Sequence, residues 1–437
     1  MSYEPQHLLE VRNVALAPNK QAALQQPVAL ASYTQRPRIP GTSFAQIQKT
    51  YFSDEQLANK GHQWPTVRIP TQYTTGFDAT WDLDNFLAGW LMAFSMGSVV
   101  VSGAGPFTHV FKFLQSSNQM PVTSLLFQDT NDIFYQMPDL AISDLVLTGK
   151  DTGTAQAQFK MVGSGKFVDG AVQLPPTTVP QYLLASDTDI LIGVPSPQLA
   201  PVLSAVVNGA LAGATYFVRI TYTTAAGETL AGPEASIVIP ANSVPQVGSP
   251  AAMPGATGWN CYLSNATGTE TKQNVAPNAI GAPFQLPAAG LIAGAALPLT
   301  TTALSSIKER VREWQVHLAM DMSPHRAPGG GLFATFMKVL KQRATCTLQV
   351  AAKDVDDIRT LFINDTPREL QININSGPSQ QLSMKFPGIY FTTQLASQGV
   401  ELTWQLTAGD QDVIKNGVNE VFQATVVNNV PAYMIAA

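Results

Sequence analysis

Hydrophobic and polar residues alternate along much of this chain, which is the pattern of strands with one buried face. An early example is the run of Phe77, Ala79 and Trp81, in which polar residues separate the apolar ones. After Asp82 the spacing becomes that of an amphipathic helix, with apolar residues at Leu83, Phe86, Leu87, Trp90 and Phe94. The pattern therefore predicts a strand that leads into a helix, with Asp82 as the N-cap.

A similar pattern recurs in the last third of the chain. Its strand and helix positions are Leu348, Val350 and Ala352 and, after Asp354, Val355, Ile358 and Phe362. Farther on, each copy has a proline inside an apolar run, Pro138 in the first and Pro387 in the second, and then another alternating strand. This order predicts a duplicated unit, whose first copy has the longer loop between helix and proline.

Residues 194–302 differ from both flanks, because they are rich in Ala, Gly, Pro, Thr and Val and nearly free of charge. Thr215–Thr224 alternates polar and apolar residues, and further strand-like runs follow at Glu234–Pro240 and Gly258–Leu263. Short strands separated by turns favour a β-sandwich. The chain is therefore predicted to be mainly β, with three domains at 1–193, 194–302 and 303–437.

The composition of the 437-residue chain limits the class of protein. Charged residues make up 13%, about half of the usual ~25%, and the net charge is −5. Without a basic excess, the chain lacks the electrostatic pattern of a nucleic-acid-binding protein. Its 45% hydrophobic content excludes a disordered chain. A surface so poor in charge indicates that partners cover much of it.

Neither the N-terminus nor the cysteines indicate secretion. Residues 1–10 contain no basic segment followed by an apolar run, so no signal peptide is expected. Two cysteines, Cys261 and Cys346, are too few for a disulfide scaffold and are expected to be reduced. The longest apolar stretch, 86–101, is too short and too interrupted for a bilayer span, so it predicts a short helix followed by a strand.

The sequence contains no motif typical of a catalytic or metal site. Its five histidines form no HExxH pair, and neither CxxC nor GxSxG is present. Gly163–Lys166 resembles the end of a phosphate-binding loop, but Lys160 and Phe167 stand where that motif needs Gly and Ser or Thr. We therefore predict a structural protein that is not an enzyme and uses no cofactor and no metal.

Several segments together resemble the major tail (tail tube) proteins of long-tailed bacteriophages. They are Gly41–Phe44, the helical run 82–94, FTHVFKF at 107–113, the strand pair at 144–149 and 157–165, and VVNNVPAY at 426–433. The middle region, with YFVRITYTTAAGET and GWNCY, resembles the Ig-like or fibronectin-type domains that decorate phage tails.

This resemblance implies two tail-tube domains, each a β-sandwich with one flanking helix, and an inserted Ig-like β-sandwich. In that family the sheets of neighbouring subunits join into a barrel around a lumen, which removes exposed sheet edges. With two tube domains in one chain, homotrimeric rings with pseudo-six-fold symmetry are expected, and homohexameric rings are the second choice. Stacked rings would form the tube.

The resemblance also implies partners and a location. The tape-measure protein and DNA would occupy the lumen without sequence-specific binding, and tail-tip and terminator proteins would bind the tube ends. The lumen lining is expected to be acidic or neutral, because a conduit must not retain phosphate. The location is the virion tail, after synthesis in the host bacterial cytoplasm, with no membrane partner. The inserted domain is expected to project outward.

Two long loops are the candidates for contacts between stacked rings. In the first copy the loop spans 37–65, and its candidate contacts are Arg38, Phe44, Tyr51 and Phe52. In the second copy it spans 323–343, and its candidate contacts are Arg326, Phe333 and Phe336. Both contain Pro or Gly, as expected of loops that become ordered on assembly.

Two aromatic residues of the inserted domain, Trp259 and Tyr262, are candidates for surface contacts, and burial in the sandwich core is the alternative. Two other functions agree with the sequence. One is a different tail component, such as a tail-tip, hub or terminator protein, which would reuse the same sandwich. The other is a β-sandwich adhesin, which the missing signal peptide disfavours.

Overall fold

The computed structural model confirms a mainly β protein, with 55% of the residues in strands. It describes residues 13–37, 45–53, 68–114, 119–128, 134–169, 174–176, 179–326, 331–352, 365–398, 401–415 and 420–434. Within these ranges there is one α-helix, α1 (Asn85–Met96).

The strands are numbered in chain order. Those before the middle region are Asn13–Ala15 (β1), Ala45–Ser53 (β2), Arg68–Asp82 (β3), Gly97–Ser102 (β4), Phe107–Phe113 (β5), Thr123–Gln128 (β6), Phe134–Lys150 (β7), Gln156–Gly163 (β8), Val168–Asp169 (β9) and Thr188–Gly193 (β10). Those of the middle region are Leu203–Leu211 (β11), Ala214–Thr224 (β12), Ala235–Ile239 (β13), Ser243–Val247 (β14), Ala256–Ser264 (β15), Thr271–Lys272 (β16) and Phe284–Gln285 (β17).

The remaining strands are Leu304–Ser306 (β18), Val311–His325 (β19), Phe336–Ala351 (β20), Arg368–Gly377 (β21), Gln380–Ile389 (β22), Thr392–Gln398 (β23), Glu401–Ala408 (β24) and Gln423–Asn428 (β25). Three short 3-10 helices lie at Leu30–Ser32, Ala185–Asp187 and Lys308–Arg310.

The predicted strand-to-helix passage is confirmed, but the predicted N-cap is wrong. Asp84, not Asp82, caps α1, and its side chain accepts a hydrogen bond from the Leu87 amide at 2.7 Å. Asp82 remains in β3, because the β3–β8 pairing extends to it. The helix ends at Gly97, whose φ of 82° is the left-handed conformation that glycine adopts without strain. The strand β4 follows directly, as the apolar stretch 86–101 predicted.

The helix predicted at 355–362 lies outside the described residues. The helical part of the predicted second copy therefore stays a prediction.

Two large antiparallel sheets enclose the main core. The first has eleven strands, eight of which form a continuous path in the order β2-β3-β8-β7-β19-β20-β24-β23, while β1, β6 and β9 attach beside β7. The second has seven strands in the order β18-β10-β21-β22-β25-β5-β4. Helix α1 contacts β7 of the first sheet and β4, β5 and β25 of the second, and it is buried along almost its whole length. Its apolar character on every side is what such a position requires.

The middle region forms two smaller sheets, which share no strand with the large ones in the described part of the chain. Strands β11, β14 and β17 make the first, and β13, β12, β15 and β16 make the second. Their own apolar core lies around Val218, Ile220, Trp259 and Leu263. The chain enters this region from β10 and leaves it into β18, and these two strands pair with Gly193 opposite Leu304.

The C-terminal segment is held in the main core by a buried polar group. His109 is fully buried, and its Nε2 lies 2.8 Å from the carbonyl oxygen of Val430. The Tyr433 ring packs edge-on against His109 and fills the space beside Gly89, where a Cβ atom would lie 2.4 Å from the ring. The Asn428 side-chain amide donates to the Tyr433 hydroxyl at 2.7 Å.

His109 predicts a loss of stability at acid pH. Burial lowers the pKa of this imidazole below its ordinary 6.5, against the opposing effect of the hydrogen bond to Val430. As the pH falls through 6.5, His109 becomes protonated in the unfolded state but stays neutral in the folded state. The free energy of unfolding therefore decreases by up to about 1.4 kcal/mol per pH unit, until the pH reaches the pKa of the folded state. Chemical denaturation between pH 7.5 and 5.5 measures this slope. His109→Gln should flatten it, and an unchanged slope in the variant would contradict the assignment.

Candidate assembly interface

The eight-stranded path contains the same arrangement twice. Its first four strands are β2-β3-β8-β7 and its last four are β19-β20-β24-β23. In each set the two strands of a long hairpin come first in the sheet. Next to them in the sheet is the strand that comes last in the chain, β8 or β24. The strand that precedes it in the chain, β7 or β23, lies on its other side. The two sets join side by side, so the sheet is a tandem of two four-stranded units.

The join between the two units is an antiparallel pairing of β7 with β19. It extends from Lys150 opposite Glu313 to Asp144 opposite Ala319. On its core side, Leu147 lies opposite Val316, and both are almost completely buried. Apolar pairs across an antiparallel ladder in a dry core stabilise that pairing.

On the other side of the join, charged and polar groups face one another. The Lys150 ammonium lies 4.0 Å from the Glu313 carboxylate, and the His317 ring contacts the Asp144 carboxylate. These partly exposed pairs favour this register but contribute little stability, because solvent screens them.

The outer strands of the path, β2 and β23, each have a strand on one side only among the described residues. Such edges present unpaired backbone N–H and C=O groups, which can pair with another chain. The edge strand β23 also exposes an apolar side chain, since Leu395 is 50% accessible. Neither strand contains a proline or a charge-dense run that would block pairing, apart from Lys49 in β2.

The face of this sheet that points away from the core is polar and rich in amides and hydroxyls. Exposed and half-buried residues alternate with buried ones along β8 and β19. The polar residues include Thr80, Thr148, Gln156, Gln158, Gln315 and Gln349. Some of its charges are compensated: Arg343 contacts Asp321 at 2.7 Å and Asp410 at 3.0 Å. A face of this kind has no strong attraction for a phosphate backbone.

Two of the candidate ring-contact residues meet the first hairpin inside the same chain. The Arg326 guanidinium donates to the Tyr73 carbonyl oxygen at 2.8 Å, and the Phe333 and Tyr73 rings lie 5.6 Å apart. The Tyr73 amide in turn donates to the Leu332 carbonyl oxygen at 3.1 Å. The end of the β19–β20 hairpin therefore lies beside Tyr73, five residues inside β3. Sequence reasoning missed Tyr73, which only this non-local contact reveals.

The other ring-contact candidates are only partly placed. Arg38 and Phe44 lie outside the described residues. Tyr51 and Phe52 belong to β2, and Phe336 is the first residue of β20. Their backbones thus continue the hairpins rather than forming separate loops.

The prediction that Trp259 and Tyr262 lie at the surface of the middle region is wrong. Trp259 is fully buried, and its Nε1 donates to the Ala279 carbonyl oxygen at 3.1 Å. Tyr262 is 2% accessible, and its hydroxyl donates to the Glu228 carboxylate at 2.8 Å. The cause is pairing with β12 on one side and β16 on the other, which places β15 inside its sheet. The alternative, burial in the core, is what the structure shows.

No group of three or more His, Cys, Asp or Glu side chains in the described part of the chain has a metal-binding arrangement. None of the described helices has the length and apolar character needed to cross a bilayer. Cys261 and Cys346 are free and buried, and burial raises the pKa of both thiols.

Comparison with protein-family models and with curated proteins gives no match for this chain.

Proposed function

We propose that this chain is a structural virion protein that polymerises as stacked rings into the tail tube of a long-tailed bacteriophage. The observation that supports this proposal is the tandem order of the eight-stranded path, which ends in two unpaired edges of different kinds. A unit whose two ends differ associates head to tail, and a head-to-tail contact closes into a ring when the rotation per subunit permits it.

The strand number favours three chains in a ring. Eight strands from each of three chains give a 24-stranded barrel. At about 4.8 Å between strands, its backbone circumference is at least about 115 Å and its radius about 18 Å. Barrels of 16–18 strands already leave an aqueous channel, whereas about eight strands leave an interior filled by side chains. Three chains thus give a lumen suited to duplex DNA, and each contributes two of six similar lobes.

The polar, partly charge-compensated face of the sheet suits the lumen of such a conduit. Amides and hydroxyls keep this surface hydrated, and ion pairs such as that of Arg343 with Asp321 and Asp410 reduce its attraction for passing DNA. Duplex DNA and the tape-measure protein are the proposed occupants, without sequence-specific contacts. The β19–β20 hairpin end with Arg326 and the neighbouring part of β3 around Tyr73 are the proposed contacts with the next ring. Tail-tip and terminator proteins are the proposed partners at the tube ends.

The middle region is the proposed Ig-like decoration of the tube. Its two sheets of three and four strands match the size of such a sandwich. Its attachment to β18, an edge strand of the second large sheet, favours projection away from the first sheet and hence away from the lumen.

Electron microscopy of the purified protein and of virion tails tests the proposal. We expect tubes built from rings of three chains of 46.7 kDa, 140.1 kDa in all, with six similar lobes around the lumen. Rings of six chains would keep the tube but contradict the barrel count. Rings that never stack would indicate a tail-tip, hub or terminator protein, and a protein that forms no ring would overturn the proposal.

A further inference from the structure

We infer that strand β23 of one chain pairs antiparallel with strand β2 of a second copy, with Leu395 opposite Ala45 and Thr393 opposite Ile47. The inference rests on the proposed self-assembly and specifies the residues that make the contact. Its template is the internal join of β7 with β19, which links the two four-stranded units inside the chain.

Strand β2 corresponds to β19, because each is the first strand of its long hairpin. In both hairpins the strand register shifts once at a position where the second strand contains one extra residue. Thr71 is skipped between the pairs Thr50–Gln72 and Tyr51–Pro70, and Leu340 is skipped in the corresponding place of β19–β20. A bulge fixes the local register of a hairpin.

When these bulges are superposed, the pair Thr50–Gln72 corresponds to the pair Asp321–Lys341, since each lies next to the skipped residue. Thr50 is therefore the counterpart of Asp321. Five residues earlier in each strand, Ala45 is the counterpart of Val316. Three residues earlier, Ile47 is the counterpart of Leu318. The same superposition places Leu83 on Ala352 in the continuation of the second strands.

Strand β23 corresponds to β7 in the same way. Leu83 donates its amide to the Ala155 carbonyl oxygen at 2.7 Å, and Ala352 donates to the Leu402 carbonyl oxygen at 2.9 Å. Because these two hydrogen bonds correspond, Ala155 is the counterpart of Leu402. Strand β8 therefore corresponds to β24, and Ala157 is the counterpart of Trp404.

The partners of those two residues complete the alignment. Ala157 pairs with Leu147 of β7, and Trp404 pairs with Leu395 of β23. Leu395 is therefore the counterpart of Leu147, and Thr393 is the counterpart of Leu145.

The internal join then gives the register between chains. In it, Leu147 lies opposite Val316 and Leu145 opposite Leu318. Replacing each residue by its counterpart gives Leu395 opposite Ala45, and Thr393 opposite Ile47. The strands remain antiparallel, as in the template.

The exposure of Leu395 agrees with this assignment. Its counterpart Leu147 is 1% accessible, because β19 covers it, whereas Leu395 is 50% accessible at the open edge. Leu395 also shares the core-facing side of its sheet with Trp404, which packs against the main core. It thus has the position of a core residue whose neighbouring strand is missing, and a second copy of β2 supplies that strand.

Cysteine cross-linking in assembled protein tests the register. In the variant A45C/L395C, a copper(II)–phenanthroline oxidant accepts the two electrons released as two thiols lose their protons and form a disulfide. Residues directly opposite each other are close enough for this bond, whereas residues two positions apart are about 7–8 Å away. We expect at least about a five-fold higher yield than for the shifted pair I47C/L395C. The native cysteines are buried and do not compete.

Mixing the single variants A45C and L395C supplies a second readout, because each contact then joins one chain of each kind. The mixture should yield covalent dimers only, whereas the double variant should yield products up to the full ring. A higher yield from the shifted pair, or no disulfide from either, in protein that forms tubes would overturn the register and leave the tube intact. Cross-linked rings that never stack would support the contact and overturn the tube function.

Discussion

Replacing Leu395 by lysine should abolish ring assembly and leave the folded chain intact. Leu395 is half exposed in the single chain, so a lysine there is hydrated and costs the monomer little. In the proposed contact the same side chain enters the core. Because half of the leucine is already covered in the single chain, the lost burial removes about 1 kcal/mol from each contact, which weakens it about five-fold. The buried ammonium weakens it much further.

Analytical ultracentrifugation, with circular dichroism as the test of folding, measures this effect. Leu299→Lys is the matched control, since Leu299 is 93% exposed in the middle region and outside both large sheets. The control should assemble like the unmodified protein. Normal assembly of the Leu395→Lys protein would show that the β23 edge is not part of the contact.

Removing the middle region should leave a chain that still folds and assembles. Gly193 at the end of β10 pairs directly with Leu304 at the start of β18. Replacing residues 194–303 by Asn-Gly would therefore join the two strands as a tight hairpin. The hydrogen bond from Arg368 to the Pro254 carbonyl oxygen is one that this excision breaks. Loss of one such bond costs about 1 kcal/mol, or about 2–4 °C in Tm.

Thermal unfolding and electron microscopy of the shortened chain measure the two parts of this prediction. Tubes should persist with a smaller outer diameter and an unchanged lumen. A matched excision of residues 194–306, which also removes β18, should lower Tm further, because it uncovers β10. If the hairpin variant fails to fold while the unmodified chain folds normally, the middle region belongs to the same folding unit as the large sheets.

The strands and the one described helix could largely be predicted from the sequence. Alternation at Phe77, Ala79 and Trp81 is the local pattern of a strand with one buried face. The spacing from Leu83 to Phe94 indicates a helix with one apolar face, whereas the structure buries α1 on nearly every side. The helix cap was misplaced by two residues, because the end of β3 depends on how far β8 accompanies it. That pairing partner lies more than 70 residues away in the chain.

The candidate interface was less accessible to sequence reasoning. The sequence indicated a repeat, but nothing local shows that β7 pairs with β19 or that β2 and β23 are left at the edges. Leu395 and Leu147 both occupy apolar positions of alternating strands, and only the presence or absence of a neighbouring strand makes one buried and the other exposed. Trp259 and Tyr262 illustrate the same limit, because their burial depends on the strands that flank β15.

By itself, the sequence determined that this is a mainly β chain, with one clear helix and a charge-poor middle region between two similar parts. These properties follow from periodicity and composition, which each segment carries locally. The tertiary structure alone decided the order of the strands, the tandem of two units and the two unpaired edges. Strand order is set by contacts between residues far apart in the chain, where burial of apolar side chains and pairing of backbone groups select one arrangement among many.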